Sequence, residues 1–196
     1  MLILMRVIKL LVMSFVKGET TMQKVTIIAG GHKIDSRLTG ILEFATSYLE
    51  ENKVEFEVIQ VHQLPSQALI TADFMNEDIA VARQKVEESK GVIVLSPVFQ
   101  ASYSGIIKTF LDLLPMKSLR EKTILPLMLG GSYAHLLVMD YALKPVIANL
   151  GATNILTGAY VMDAQIAKEE NNTYTLDEDA KVRITSQLMQ LVEAVK

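Results

Sequence analysis

Three short stretches hold most of the residues that could do chemistry. GGHKIDSR, Gly30 to Arg37, sets two glycines, a lysine, a serine and an arginine where an apolar run gives way to helical periodicity. Backbone N–H groups at such a turn, the start of a helix and two cations together suit an anion such as a phosphate. A tight strand-to-helix turn with Ser36 as N-cap explains the same residues without a ligand. SPVFQASYSG, Ser96 to Gly105, offers the planar side chains of Phe99 and Tyr103 among small residues. A flat heterocycle could lie there, or the two aromatics could pack into the core. The third stretch, Gly130, Gly131, Ser132 and His135, is a glycine turn whose lone histidine fits a capping or core role better than that of a base.

The elements that must position these stretches follow from periodicity. Val25–Ala29, a run containing Phe56, Val58 and Val61, Val92–Leu95, Ile124–Leu129 and Asn154–Tyr160 read as strands. Between them lie helical patterns: Leu38, Ile41, Leu42, Ala45 and Leu49, then Asn76 to Ser89 with Asn76 as N-cap, and Ile106 to Leu114. Thr175 and Glu178 read as a capping box before a last helix whose Val182, Leu188, Leu191 and Val195 face the core. Met162 to Thr175 reads as a polar loop. This alternation predicts one α/β domain, a flavodoxin-like, doubly wound, five-stranded parallel sheet of order 2-1-3-4-5. Its ligand crevice lies at the carboxyl ends of the first and third strands, where the three stretches converge.

Composition narrows the function. With 196 residues and a net charge of −3, the chain suits one domain and gives no basis for binding nucleic acid. It has no cysteine and three histidines, so thiolate chemistry is excluded and metal ligation has little to build on. Residues 1–21 differ from the rest: Leu2 to Val16 is apolar but interrupted by Arg6 and Lys9, short of the roughly 18 to 20 apolar residues of a membrane span. The preferred reading is a start-site artefact, with Met22 as the true start; a packing extension and an export or membrane segment are the alternatives.

SPVFQASYSGIIKTFLDLLP (Ser96 to Pro115) and LPLMLGGSYAHLLVMDYALKPV (Leu125 to Val146) resemble the NADPH-dependent FMN reductases of two-component alkanesulfonate monooxygenase systems, in register from Met22 to about Gly158. The first loop departs from the family's usual GSPR followed by serine, and Phe99 stands where relatives commonly carry tyrosine. The resemblance implies a cytoplasmic oxidoreductase that binds FMN and NADPH, assembles as a homodimer or homotetramer, and passes reduced FMN to a flavin-dependent monooxygenase. It puts Gly30, Lys33, Ser36 and Arg37 at the flavin phosphate. Pro97, Val98, Phe99, Gln100, Tyr103 and Ser104 would border the flavin ring, with Gly130, Gly131 and His135 on its other side. Tyr141, in DYALKP, matches a tyrosine that accompanies a widened helical turn at the family's subunit interface. Hydride transfer between two rings asks for no catalytic side chain. The competing readings are an azo or quinone reductase that retains FMN, and a flavodoxin-type electron carrier. A phosphoacceptor domain is excluded because Gly30 and Gly31 occupy the place of its acidic cluster.

Overall fold

A computed structural model describes residues 24–170 and 173–196; the expectation for residues 1–21 lies outside them. The chain runs through β1 (Lys24–Ala29), α1 (Arg37–Glu51), β2 (Glu55–Gln60), α2 (Ser66–Thr71), α3 (Glu77–Glu88), β3 (Gly91–Phe99), β4 (Ser102–Tyr103) and α4 (Gly105–Leu111). After these come β5 (Thr123–Gly130), a π-helical turn (Met139–Leu143), α5 (Lys144–Asn149), β6 (Asn154–Ile155), β7 (Ala159–Met162), β8 (Ile166–Lys168), β9 (Tyr174–Leu176) and α6 (Glu178–Val195). The parallel sheet is ordered β2-β1-β3-β5, with β6 and β7 both on the outer side of β5. This is the flavodoxin-like order expected from the sequence, since β4 only folds back on β3.

The central strands are apolar throughout because both faces are covered. Side chains alternate across a strand, so neighbours such as Ile27 and Ile28, or Ile93 and Val94, enter opposite cores. One core gathers α1 and α6, through Ile41, Leu49, Ile184 and Leu188. The other gathers α2, α3, α4 and α5, through Leu69, Val86, Phe110 and Ile147. Asn76 caps α3 as expected, accepting from the amides of Asp78 and Ile79.

Several boundaries differ from expectation. β2 ends at Gln60, and buried Val61 opens a 3-10 turn. β3 continues past Ser96 and Pro97 to Phe99 and turns back as β4, so the second stretch is a hairpin and not an open loop. The helix after it spans only Gly105–Leu111. The last strand is split into β6 and β7: three residues, 156–158, stand opposite two, Leu125 and Pro126. Pro126 has no N–H for the ladder, and Gly158, at φ 86°, lets the chain pass close to the Pro126 carbonyl. The cap of α6 is Asp177, which accepts from Ala180 N at 2.7 Å; Thr175 belongs to β9. Val182 is 67% exposed, because the buried stripe runs through Ala180, Ile184 and Leu188 instead. The polar segment after Met162 is the antiparallel hairpin β8–β9, and the short helix α2 was not foreseen. No helix among the described residues is long and apolar enough to cross a membrane.

Candidate active site

At the end of β1 the two glycines do different work. Gly30 N–H donates to Leu95 O at 2.8 Å, and its carbonyl accepts from Ser104 Oγ at 2.7 Å. A Cβ there would collide with Ile107 and Ser104, so Gly30 ties β1 to the start of α4 and does not face a ligand. Ser104 is buried in that tie, its own N–H bonded to Ser96 Oγ at 2.9 Å. Gly31 is buried yet lines the cleft, with its carbonyl 3.1 Å from His62 Nδ1.

Ser36 has the extended backbone of an N-cap residue, but its hydroxyl makes no cap bond and donates to Lys33 O at 3.3 Å. The side-chain capping that would explain this serine without a ligand is therefore absent. Arg37 Nε donates to Ile166 O at 3.0 Å, binding the head of α1 to the β8–β9 hairpin. Asp35 binds the same hairpin: its Oδ1 accepts from Lys168 Nζ at 2.6 Å and from the Tyr174 hydroxyl at 2.7 Å. The Lys168 bond, then the Tyr174 bond, holds the Asp35 carboxyl below its ordinary value. Burial and the Asp35 carboxylate push the Tyr174 phenol up to about 12.

In the second stretch, β3 and β4 are joined by Gln100 and Ala101 at φ 47° and 58°, two left-handed residues that match the twist of a tight hairpin. Phe99 is left half-exposed with its ring 5.1 Å from His32, edge to face. Tyr103, on the returning strand, packs against the core, where burial raises its phenol pKa. In the third stretch a Cβ at Gly130 would strike the Tyr160 phenol, which donates to Ser132 O at 2.8 Å.

These loops enclose a cleft of about 420 Å³ at the carboxyl ends of β1, β3 and β5, within the size range of small-molecule sites. Of the residues expected to bind, Lys33, Ser36 and Arg37 line one end; Pro97, Val98, Phe99, Gly130 and Gly131 line the other. The structure does not bring Gly30, Gln100, Tyr103, Ser104, His135 or Tyr141 to its walls. Gln100 is at the hairpin tip, His135 in an exposed 3-10 turn, and Tyr141, 79% exposed, in the π-helical turn. His32, Asp35, Asp163, Lys168 and Tyr174 line the cleft without having been foreseen. Cations at one end, with a half-exposed ring and two glycines at the other, fit an anionic group joined to a flat ring, as in FMN.

A model of the NADPH-dependent FMN reductase family matches residues 23–167. The chain belongs to this family. The reductase is 40% identical over 146 residues to the FMN reductase (NADPH) of Pseudomonas putida, covering 74% of each chain. Its identity to the FMN reductase (NADPH) of Escherichia coli is 38% over 143 residues, 73% of this chain and 75% of that one. Among solved structures, the apo form of NADH:FMN oxidoreductase (EMOB) superposes with a TM-score of 0.79 at 26% identity, covering 89% of this chain and 90% of the other. The reductase is thus an NAD(P)H-dependent oxidoreductase of FMN, with FMN and NADPH as its cofactors.

Proposed function

We propose that the reductase holds the FMN phosphate at Lys33, Ser36 and Arg37 and the ring between Phe99 and the Gly130–Gly131 turn, then releases the reduced flavin to a flavin-dependent monooxygenase that serves use of sulfonate sulfur. The uneven character of the cleft carries this reading. Cations gather at the end near α1, while the ring end offers half-exposed Phe99 and Gly131, with the Asp163 carboxylate beside that glycine, and the chain has no tryptophan to cover a flavin. Ring contacts of that kind suit a flavin that enters and leaves.

When bound, the flavin ring accepts the nicotinamide hydride itself, so the protein supplies alignment and exclusion of water and no nucleophile. Phe99 presents a flat apolar edge, stiffened by the two-residue turn behind it. The absence of a Cβ at Gly131 lets a planar group approach the backbone there, while the corresponding space at Gly130 is taken by the Tyr160 phenol. Tyr141, exposed on the π-helical turn with Leu137 nearby in sequence, is assigned to contacts between subunits in a homodimer or homotetramer.

The deciding experiment follows NADPH oxidation with and without added FMN and records the visible spectrum of the purified protein. Colourless protein and strict dependence on added FMN are expected. Yellow protein carrying stoichiometric FMN would overturn release and favour an FMN-retaining azo or quinone reductase.

A further inference from the structure

We infer that Lys168, delivered by the β8–β9 hairpin and held in place by Asp35, is a specificity-determining cation of the cleft that takes an oxygen of the flavin phosphate. This rests on the phosphate placement proposed above and adds a residue to it. Lys168 and Tyr174 both lie beyond residues 23–167, so the family match does not account for them.

The hairpin is fixed against the first loop at three points: Arg37 Nε to Ile166 O, Lys168 Nζ to Asp35, and the Tyr174 hydroxyl to the same Asp35 oxygen. Its close seat on α1 depends on Gly40, where a Cβ would come within 2.6 Å of Tyr174 Cβ. Lys168 is thereby brought to the end of the cleft that also carries Lys33 and Ser36. Asp35 explains why this position needs a cation. An unpaired carboxylate on the wall would repel a phosphate dianion, and Lys168 compensates that charge at 2.6 Å. An ammonium has three N–H donors and Asp35 engages one, which leaves donors for a phosphate oxygen. A charge-assisted bond of this kind is stronger than a neutral one. Arg37 spends only its Nε–H on the hairpin backbone and keeps its terminal N–H groups for the phosphate, so Lys168 adds a second cation beside it. Asp35 is accordingly a positioning residue and Lys168 the ligand contact.

The test titrates FMN and riboflavin, which lacks the phosphate, against wild type, Lys168→Met, Lys168→Arg and the Lys168→Met/Asp35→Asn double variant, with thermal melts to confirm folding. Wild type should prefer FMN. Lys168→Met should weaken FMN about tenfold and leave riboflavin unchanged, on the scale of one charge-assisted hydrogen bond. Lys168→Arg should restore most of the loss, and the double variant should bind FMN more tightly than Lys168→Met because the unpaired carboxylate is gone. Equal losses for both flavins, or no loss for either, overturn the inference while the phosphate placement stands. A wild type that binds the two flavins equally overturns both.

Discussion

The Tyr160 hydroxyl donates to Ser132 O at 2.8 Å and fills the space that a side chain on Gly130 would need. One phenol therefore fixes the path of the third loop, and the glycine beside it is a condition of that contact. Gly130→Ala should expel Tyr160 and cost about 1 to 3 kcal/mol through overpacking, with FMN reduction falling alongside. Tyr160→Phe keeps the packing, loses one hydrogen bond and should cost about 1 kcal/mol. Chemical denaturation of both variants checks the order; a harmless Gly130→Ala would show that the loop has another way to close.

Phe99 contacts His32, lines the cleft and is half-exposed. Phe99→Ala should weaken FMN and riboflavin alike, by about three- to tenfold, because an aromatic contact contributes roughly 0.5 to 1.5 kcal/mol and does not sense the phosphate. Ser36→Ala should discriminate between the two flavins and barely change stability, since the Ser36 hydroxyl caps no helix amide. Paired titrations of both variants make the comparison.

Lys122 is buried on the side of the sheet away from the cleft, its Nζ donating to Glu87 O at 2.8 Å and to Ser89 O at 2.6 Å. It closes the carboxyl end of α3, where a cation is favoured. Lys122→Met leaves two carbonyls without that donor and should lower stability by about 1 to 3 kcal/mol. FMN reduction per folded molecule should not change, which a melt combined with an activity assay at low temperature would show.

The Tyr174 phenol, raised from 10.0 to about 12, gives the hairpin a pH signature. The folded state retains the phenolic proton more firmly than the unfolded chain does. Its contribution to stability is thus complete below the unfolded value of 10.0 and is lost as pH rises toward about 12. In the ultraviolet difference titration between wild type and Tyr174→Phe, tyrosinate should be scarce below about pH 11, one unit under the shifted value. Asp35→Asn should move that titration part of the way down. A difference curve centred at the ordinary tyrosine value in wild type would show that the Asp35 contact does not form in solution.

Much of the sheet was legible because central strands must be apolar on both faces, so Val92–Leu95 and Ile124–Leu129 announce themselves, and glycines follow β1 and β5 where the site lies. The two aromatics of the second stretch could not be told apart. Only once β3 is known to extend to Phe99 and return does alternation send Tyr103 to the core and Phe99 to the cleft. Lys168 and Tyr174 were less accessible still. Strands of three residues carry too little alternation to be read, and their partner Asp35 is 133 and 139 positions away. Val182 misled because it is apolar, yet it stands two residues from both Ala180 and Ile184 and so on the helix face opposite the buried stripe.

The β8–β9 hairpin pairs with no strand of the main sheet among the described residues. It is attached through side chains, and buried Gln165 at its base links Met162 N, Asp177 and Arg183. Such a segment can open as a unit while the parallel ladder stays closed, because few backbone bonds are shared between them. Amide hydrogen exchange should therefore divide into two regimes, with β1, β3 and β5 exchanging only on global unfolding and residues 166–168 and 174–176 exchanging through a cheaper local event. One wall of the cleft would in this sense melt separately, and ligand-dependent slowing of exchange would be concentrated there and not in the sheet.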